Sequence, residues 1–458
     1  MKIKGIYVLI FVLMLGLPFI SGCKKSENEV QTYSAEKKQL DKRISQAVIY
    51  EVNIRQYTPE GTFRAFEKHL PRLKQLGVDV IWLMPIYPIG EKNRKGTLGS
   101  YYSVKDYYGV NPEYGTKQDL KHLIDQAHEN GMLVILDWVA NHTAWDNPWV
   151  KKHPDWYVHN PDGTLHSPFD WTDVVKLDYN NMQMRKAMIN AMKYWVENFD
   201  IDGFRCDVAG EVPTDFWDSA RVELEKVKPL FMLAEAEKPD LMYSAFDAYY
   251  GWHLLYIMNQ ISQGKMDARE LKKYFNGHAK EFPARAMRMN FTSNHDENSW
   301  NGTVFERMPH SYKTFAVFTY IVPDIPLIYS GQEACLNKRL RFFDKDTIEW
   351  KDCDMFGLYQ KLNSLRHTHP ALAGGPDRGK MKILRTSDSV HVFALARYKD
   401  NDTIVALFNL SGDTVNVKLR FARPAGQFKE YFSDTEAELK RGSMVSLKPW
   451  DYKVFIKK

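Results

Sequence analysis

Four short segments crowd acidic, basic and imidazole side chains together: Asp137-Trp138-Val139-Ala140-Asn141-His142, Asp202-Gly203-Phe204-Arg205-Cys206-Asp207, Met232-Leu233-Ala234-Glu235-Ala236 and Phe291-Thr292-Ser293-Asn294-His295-Asp296. Arg205 stands two residues before Asp207, so in an extended strand both point to one face, where the guanidinium holds Asp207 as an anion. Glu235, partly buried among negative neighbours, is the carboxyl group expected to keep its proton. One ionised and one protonated carboxyl group, on opposite sides of a bond, are what glycosidic cleavage needs. His142 and His295 can donate hydrogen bonds to hydroxyl groups or to developing negative charge. Each residue alone has a plainer reading: a strand-end Asp caps a helix, and Arg205–Asp207 is a structural ion pair. Four such segments at equivalent places are not explained as caps.

Those places are strand ends. Apolar runs at Val48–Val52, Val80–Met84, Leu133–Val139, Gly203–Cys206, Phe231–Ala234, Phe246–Tyr249, Arg288–Phe291 and Pro326–Tyr329 read as strands. They alternate with amphipathic stretches at Phe63–Leu76, Lys117–Asn130, Met182–Asn198, Asp215–Val227, Ala268–Phe275, Ser311–Ile321 and Phe356–His367. Such alternation specifies a parallel sheet with crossover helices. Eight strands suit a closed (β/α)₈ barrel, whose C-terminal rim gathers functional side chains. No Gly-rich phosphate loop follows the first strand, which argues against an open doubly wound sheet. The barrel is read as residues 45–142 and 181–370. A turn-rich excursion, 143–180, interrupts it after the third strand, and short alternating runs over 371–458 read as a C-terminal antiparallel β-domain.

Composition is that of an ordinary globular protein with a large core, and the charge does not argue for nucleic acid as a partner. Apolar residues make up 44%, charged residues 26%, and the formal charge is only +5 over 458 residues. The aromatic share of 14% includes 12 Trp and 25 Tyr, rings on which sugar faces stack. Residues 1–22 read as a signal peptide: Lys2 and Lys4 precede an apolar run, Ile6–Ile20, shorter than the ~20 residues that span a bilayer. The run ends in Ile20-Ser21-Gly22-Cys23, similar to a bacterial lipobox, which makes Cys23 the lipidated residue and the chain an exported, membrane-anchored lipoprotein. The Lys-, Ser-, Glu- and Gln-rich stretch 23–44 reads as a flexible tether. Cys206, Cys335 and Cys353 remain, an odd number that implies no disulfide framework, although a Cys335–Cys353 bridge is open.

With these motifs in hand, the chain from about Ala47 onward resembles the α-amylase superfamily of retaining α-glucan hydrolases. Asp137–His142, Gly203–Asp207, Ala234–Glu235 and Asn294–Asp296 match its four signature regions in order. The resemblance implies Asp207 as nucleophile, Glu235 as general acid/base and Asp296 as a third carboxylate that grips sugar hydroxyls. It further implies Tyr102, His142, Arg205, His295 and Asp137 in substrate binding, and Asn141 with Asp178 as candidate calcium ligands. No cofactor is required for the chemistry. The implied partner is an α-glucan, cut at α-1,4 bonds in starch or maltooligosaccharides. Gly210 and Glu211 replace a Lys-His pair common in starch-cutting members. An α-1,6-glucosidase, a cyclomaltodextrinase, a glucanosyltransferase and a non-catalytic glycan-binding lipoprotein therefore stay open.

Overall fold

The computed structural model describes residues 27–458; the signal stretch and Cys23 lie outside the described residues. Eight strands, β1 (Ile49–Val52), β2 (Val80–Leu83), β3 (Leu133–Trp138), β4 (Gly203–Cys206), β5 (Phe231–Ala234), β6 (Ala248–Tyr250), β7 (Met287–Asn290) and β8 (Ile325–Tyr329), pair in parallel in chain order. β1 meets β8 and closes the (β/α)₈ barrel. Every residue of these strands is buried, because helices cover one side and the barrel core the other. That is why the sequence shows continuous apolar runs here rather than alternation.

Register brings the chemistry together. Asp137 pairs with Arg205 between β3 and β4, and Cys206 pairs with Ala234 between β4 and β5. Asp207 and Glu235 are the next residues out, so both emerge side by side at the C-terminal rim. Close packing of β4 against β5 depends on Gly203, which lies at φ +153. A Cβ there would come within 1.8 Å of the Phe231 carbonyl oxygen.

The helices follow their end signals. Thr116 and Asp119 form a reciprocal capping box before Lys117–Glu129, and Gly77 ends Leu70–Leu76 in the left-handed region. The single helix expected over Phe63–Leu76 is two, Phe63–Glu67 and Leu70–Leu76. Pro71 has no N–H to give to the Glu67 carbonyl, and its ring blocks continuation of the ladder. Within the excursion, His142–Ala144 and Val174–Lys176 form a small antiparallel pair.

The tether expected over 23–44 is corrected over most of its length: Glu27–Ser45 is a helix. Its Glu, Lys and Gln residues are good helix formers, and Tyr33, Lys37, Leu40 and Ile44 recur at helical spacing on one face. Ile44 is buried, and Lys37 Nζ lies 3.4 Å from Asp247 Oδ1. Sparse apolar spacing hid this face from a composition reading. Among the described residues no helix is long and apolar enough to cross a membrane.

The C-terminal unit comprises β9 (Lys380–Ile383), β10 (Val392–Lys399), β11 (Asp402–Asn409), β12 (Val415–Lys418), β13 (Gly426–Glu430), β14 (Glu436–Leu439), β15 (Met444–Leu447) and β16 (Tyr452–Lys457). Six form an antiparallel sheet in the order β9-β10-β11-β16-β13-β14, and β12 pairs with β15. Cys335 and Cys353 are joined in a disulfide, and Cys206 is free and buried.

Barrel closure at β4 gives a direct test. Gly203→Ala is expected to cost ~4 kcal/mol or more of stability, since backbone must move to admit one methyl group. Urea denaturation measures it; an unchanged midpoint would show that β4 and β5 are not packed this closely.

Candidate active site

A cleft of about 600 Å³ opens where the rims of the barrel strands meet. Asp207, Glu235, Asp296, Tyr102, His142 and His295 all line it. The excursion adds Trp171 and Asp173, and the stretch after β8 adds Phe342 and Phe343. These loops wall a site whose floor is built by the strands.

Arg205 is the centre of that floor and is fully buried. Its Nη1 donates to Asp137 Oδ1 at 2.8 Å and to Asp207 Oδ1 at 3.1 Å. Nη2 forms an ion pair with Glu235 Oε1 at 2.8 Å, and Nε donates to the Tyr250 hydroxyl at 3.1 Å. The Trp82 ring lies 5.0 Å from the guanidinium carbon. Glu235 is fixed a second time by the Val208 amide, which donates to Oε2 at 2.7 Å. Asp137 accepts from Trp82 Nε1 and from the Tyr102 hydroxyl, both at 3.1 Å. Arg205 and Asp137, expected among the sugar-contacting residues, therefore lie beneath the cleft and do not line it. They position the groups that do.

Three carboxylates share one guanidinium, and this decides the electrostatics. Burial, opposed by Arg205, pushes Asp137 up to about 6. Burial first, and the charge of Glu235 second, push Asp207 well above the usual carboxylate range. Arg205 opposes both effects at 3.1 Å, and its charge is divided among the three carboxylates. Burial works against the charge on Arg205 itself, yet Asp137 and Glu235 more than offset it.

His295 carries a second relay. Its Nδ1 lies 2.5 Å from Glu51 Oε1, its Nε2 lies 2.8 Å from the Tyr102 hydroxyl and 3.2 Å from Asp296 Oδ2. Burial disfavours the charged ring, but Asp296 and Glu51 push it up to about 9, so both nitrogens donate at neutral pH. His142 is the opposite case: burial, with no carboxylate beside it, lowers it to about 3 and leaves a neutral ring, edge-on to Trp171. The Tyr102 ring stacks on His295 at 5.6 Å.

Asn141 and Asp178 lie at the root of the excursion, where the Leu177 amide donates to the Asn141 carbonyl at 3.1 Å. The Asn141 amide lies against His142 Nδ1, while Asp178 Oδ1 accepts from the backbone and side chain of Asn180 in its own turn. A calcium ion takes six to eight oxygens, and among the described residues no cluster of three or more carboxylate, His or Cys ligands surrounds this pair. No step below passes through an ion.

Glu51, Trp82 and Tyr250 were not singled out from sequence. Glu51 had a signal: it is a charged residue inside an otherwise apolar strand, and such a group needs a buried partner. Phe342 and Phe343 had none, since the stretch around them shows no periodicity.

Protonated His295 makes stability pH-dependent. Its folded value is above the unfolded 6.5, so its contribution is complete below pH 6.5 and is lost as pH rises through about 9. The stability of the wild type should fall by up to about 3 kcal/mol across that window, and His295→Gln should flatten the fall. Denaturation at pH 6.5 and 9 measures both; equal slopes would mean that the ring is neutral throughout.

The catalytic-domain model of alpha amylase matches residues 35–175 and 155–356. A maltogenic alpha-amylase of Thermotoga neapolitana superposes with a TM-score of 0.83 at 33% identity, covering 91% of this chain and all of that one. An alpha-amylase of Lactobacillus plantarum gives 0.81 at 32%, again over 91% of this chain and all of that one. An alpha-amylase of Haloarcula japonica is 28% identical over 398 residues, 83% of this chain, and the chain spans 57% of its length. A maltogenic alpha-amylase of Bacillus acidopullulyticus is 26% identical over 422 residues, 86% of this chain and 70% of its own. A matched catalytic domain, a shared fold over 91% of the chain and three carboxylates in one cleft lead to one statement: the chain belongs to the alpha-amylase family and is an α-amylase-like glycosidase.

Proposed function

We propose that the protein is a retaining glycoside hydrolase that cleaves α-1,4-glucosidic bonds in starch or maltooligosaccharides by double displacement. The observation that carries this reading is the fork of Arg205, which holds Asp207 and Glu235 at adjacent positions facing one cleft. A shared fork favours the closer of the two carboxyl spacings, ~5–5.5 Å, used by retaining enzymes over the ~6.5–9.5 Å of inverting ones.

In the first step Asp207 attacks the anomeric carbon while Glu235 gives its proton to the leaving oxygen. Asp207 attacks as a carboxylate and becomes a neutral ester, while the proton transfer leaves Glu235 as the carboxylate paired with Arg205, so the charge that passes between them stays on a guanidinium already in place. In the second step Glu235 takes a proton from water, and the water displaces Asp207. Asp296, with imidazolium His295 behind it, accepts hydrogen bonds from ring hydroxyls and favours the distorted, oxocarbenium-like sugar. Tyr102, Trp171 and Phe342 offer ring faces to sugars on either side of the bond.

Amylase, maltogenic amylase and cyclomaltodextrinase names among the relatives agree with α-1,4 chemistry. The replaced dipeptide favours oligosaccharides over long starch chains: Gly210 has no side chain, and Lys238 Nζ instead donates to its carbonyl at 2.6 Å. We further propose that the protein is exported and anchored by lipid at Cys23, a reading supported by the lipobox-like Ile20–Cys23 alone.

Asp207→Asn should lower turnover of maltoheptaose roughly 10³-fold or more, since removing the nucleophile deletes the covalent route. Proton NMR of the wild-type reaction should show the α-anomer formed first. Equal rates for the two proteins, or a β-anomer first, would contradict the proposal, as would no turnover on maltoheptaose, cyclodextrin, isomaltose or pullulan.

A further inference from the structure

A second and larger hollow, about 1220 Å³, lies between the helix Ala268–Asn276 and the C-terminal β-domain. It shares no residue with the catalytic cleft. Its walls carry Lys272 and Lys280 from the helix side, Lys382 and Arg385 from the sheet edge, and Lys418, Arg420 and Arg441 from the β12–β15 region. A contiguous hollow of about 420 Å³ shares Lys382, Arg385 and Arg420 and adds Arg423. Neither is lined by any Asp or Glu.

These cations are exposed, and none has a carboxylate oxygen within 4.0 Å among the described residues. The acids near them in sequence are committed elsewhere: Glu270 to Lys273, Asp388 to His391 and Glu438 to Lys440. The whole chain carries only +5, so without these eight cations the remainder would be at −3. Eight cations with no acidic residue among them thus line these two contiguous hollows. Lysines on an edge strand discourage strand addition, which accounts for Lys382 on β9. It does not account for cations converging from a helix, a loop and a second hairpin.

We propose that this groove binds an anionic polysaccharide, a linear chain bearing closely spaced sulfate, phosphate or carboxylate groups. Concavity favours a chain over a bilayer, which meets flat or convex surfaces. The rings of Phe275 and Phe393 are buried in the floor, so bases would find no exposed ring to stack on. Hydroxyl-rich sugar with regularly placed anions matches a cationic groove with a partly apolar floor. Held there, the enzyme would be retained on a charged glycan matrix without occupying its catalytic cleft.

Isothermal titration of the mature chain with heparin, a sulfated and carboxylated polysaccharide, tests this. Wild type should bind, with affinity falling steeply between 50 and 300 mM salt, and Arg385→Gln/Arg420→Gln/Arg441→Gln should bind roughly tenfold or more weakly. Turnover of maltoheptaose by the same variant should be unchanged, which separates this result from the fate of the hydrolase reading. Lys272→Gln/Lys280→Gln, on the opposite wall, should also weaken binding and serves if the triple variant fails to fold. No heparin binding by wild type, binding unaffected by both variants, or retention by phosphatidylglycerol vesicles or single-stranded RNA without heparin binding would overturn the proposal.

Discussion

A single buried guanidinium governs the site. Arg205 touches Asp137, Asp207 and Glu235, and no water-exposed route lets it relax, because it is enclosed by Trp82, Tyr102 and Tyr250. Breaking a buried ion pair by losing one partner costs ~3–5 kcal/mol, since the other charge is left without compensation. Here three carboxylates depend on the same cation. Their side chains are consequently locked before any substrate arrives, and their charges are coupled: a proton leaving one of them is felt by the other two. Preorganisation of this kind is what lets a protein stabilise a transition state without rearranging to do so.

The fold supplies this arrangement through division of labour. Short parallel strands with fixed register place Asp137, Arg205, Asp207 and Glu235 within one patch of rim, and Gly203 lets β4 approach β5 closely enough to keep that register. Loops then build walls. The excursion brings Trp171, edge-on to His142, and the stretch after β8 brings Phe342, stacked 6.2 Å from Tyr102. Groups that must not move sit on strands, and groups that must meet different sugars sit on connections, as rigid sheets with variable loops allow.

Much of this was legible in the chain itself. Barrel strands were readable because burial on both faces demands unbroken apolar runs, and each of the eight read from sequence is present with small shifts at its ends. The carboxylates were readable because charge directly after such a run cannot be core. What escaped was set by three-dimensional context. Glu51 is inside β1 and looked like part of a strand, yet it backs His295 from across the barrel. The sharing of Arg205 could not be read from the two-residue spacing that pointed only to Asp207. The helix Glu27–Ser45 looked like a polar leash because its four inward positions are diluted by charged residues. Asn141 and Asp178 were paired by likeness to a family; their side chains bond to His142 and Asn180, next in their own segments, while the Asn141 carbonyl accepts from Leu177.

Double displacement requires a covalent bond between an Asp207 carboxylate oxygen and the anomeric carbon, and that bond can be observed directly. A slowly turned over, fluorinated maltosyl fluoride should trap the enzyme, and peptide mass spectrometry should find one maltosyl adduct, on the peptide containing Asp207. An adduct on a different residue, or continued hydrolysis by an enzyme that never becomes labelled, would contradict it.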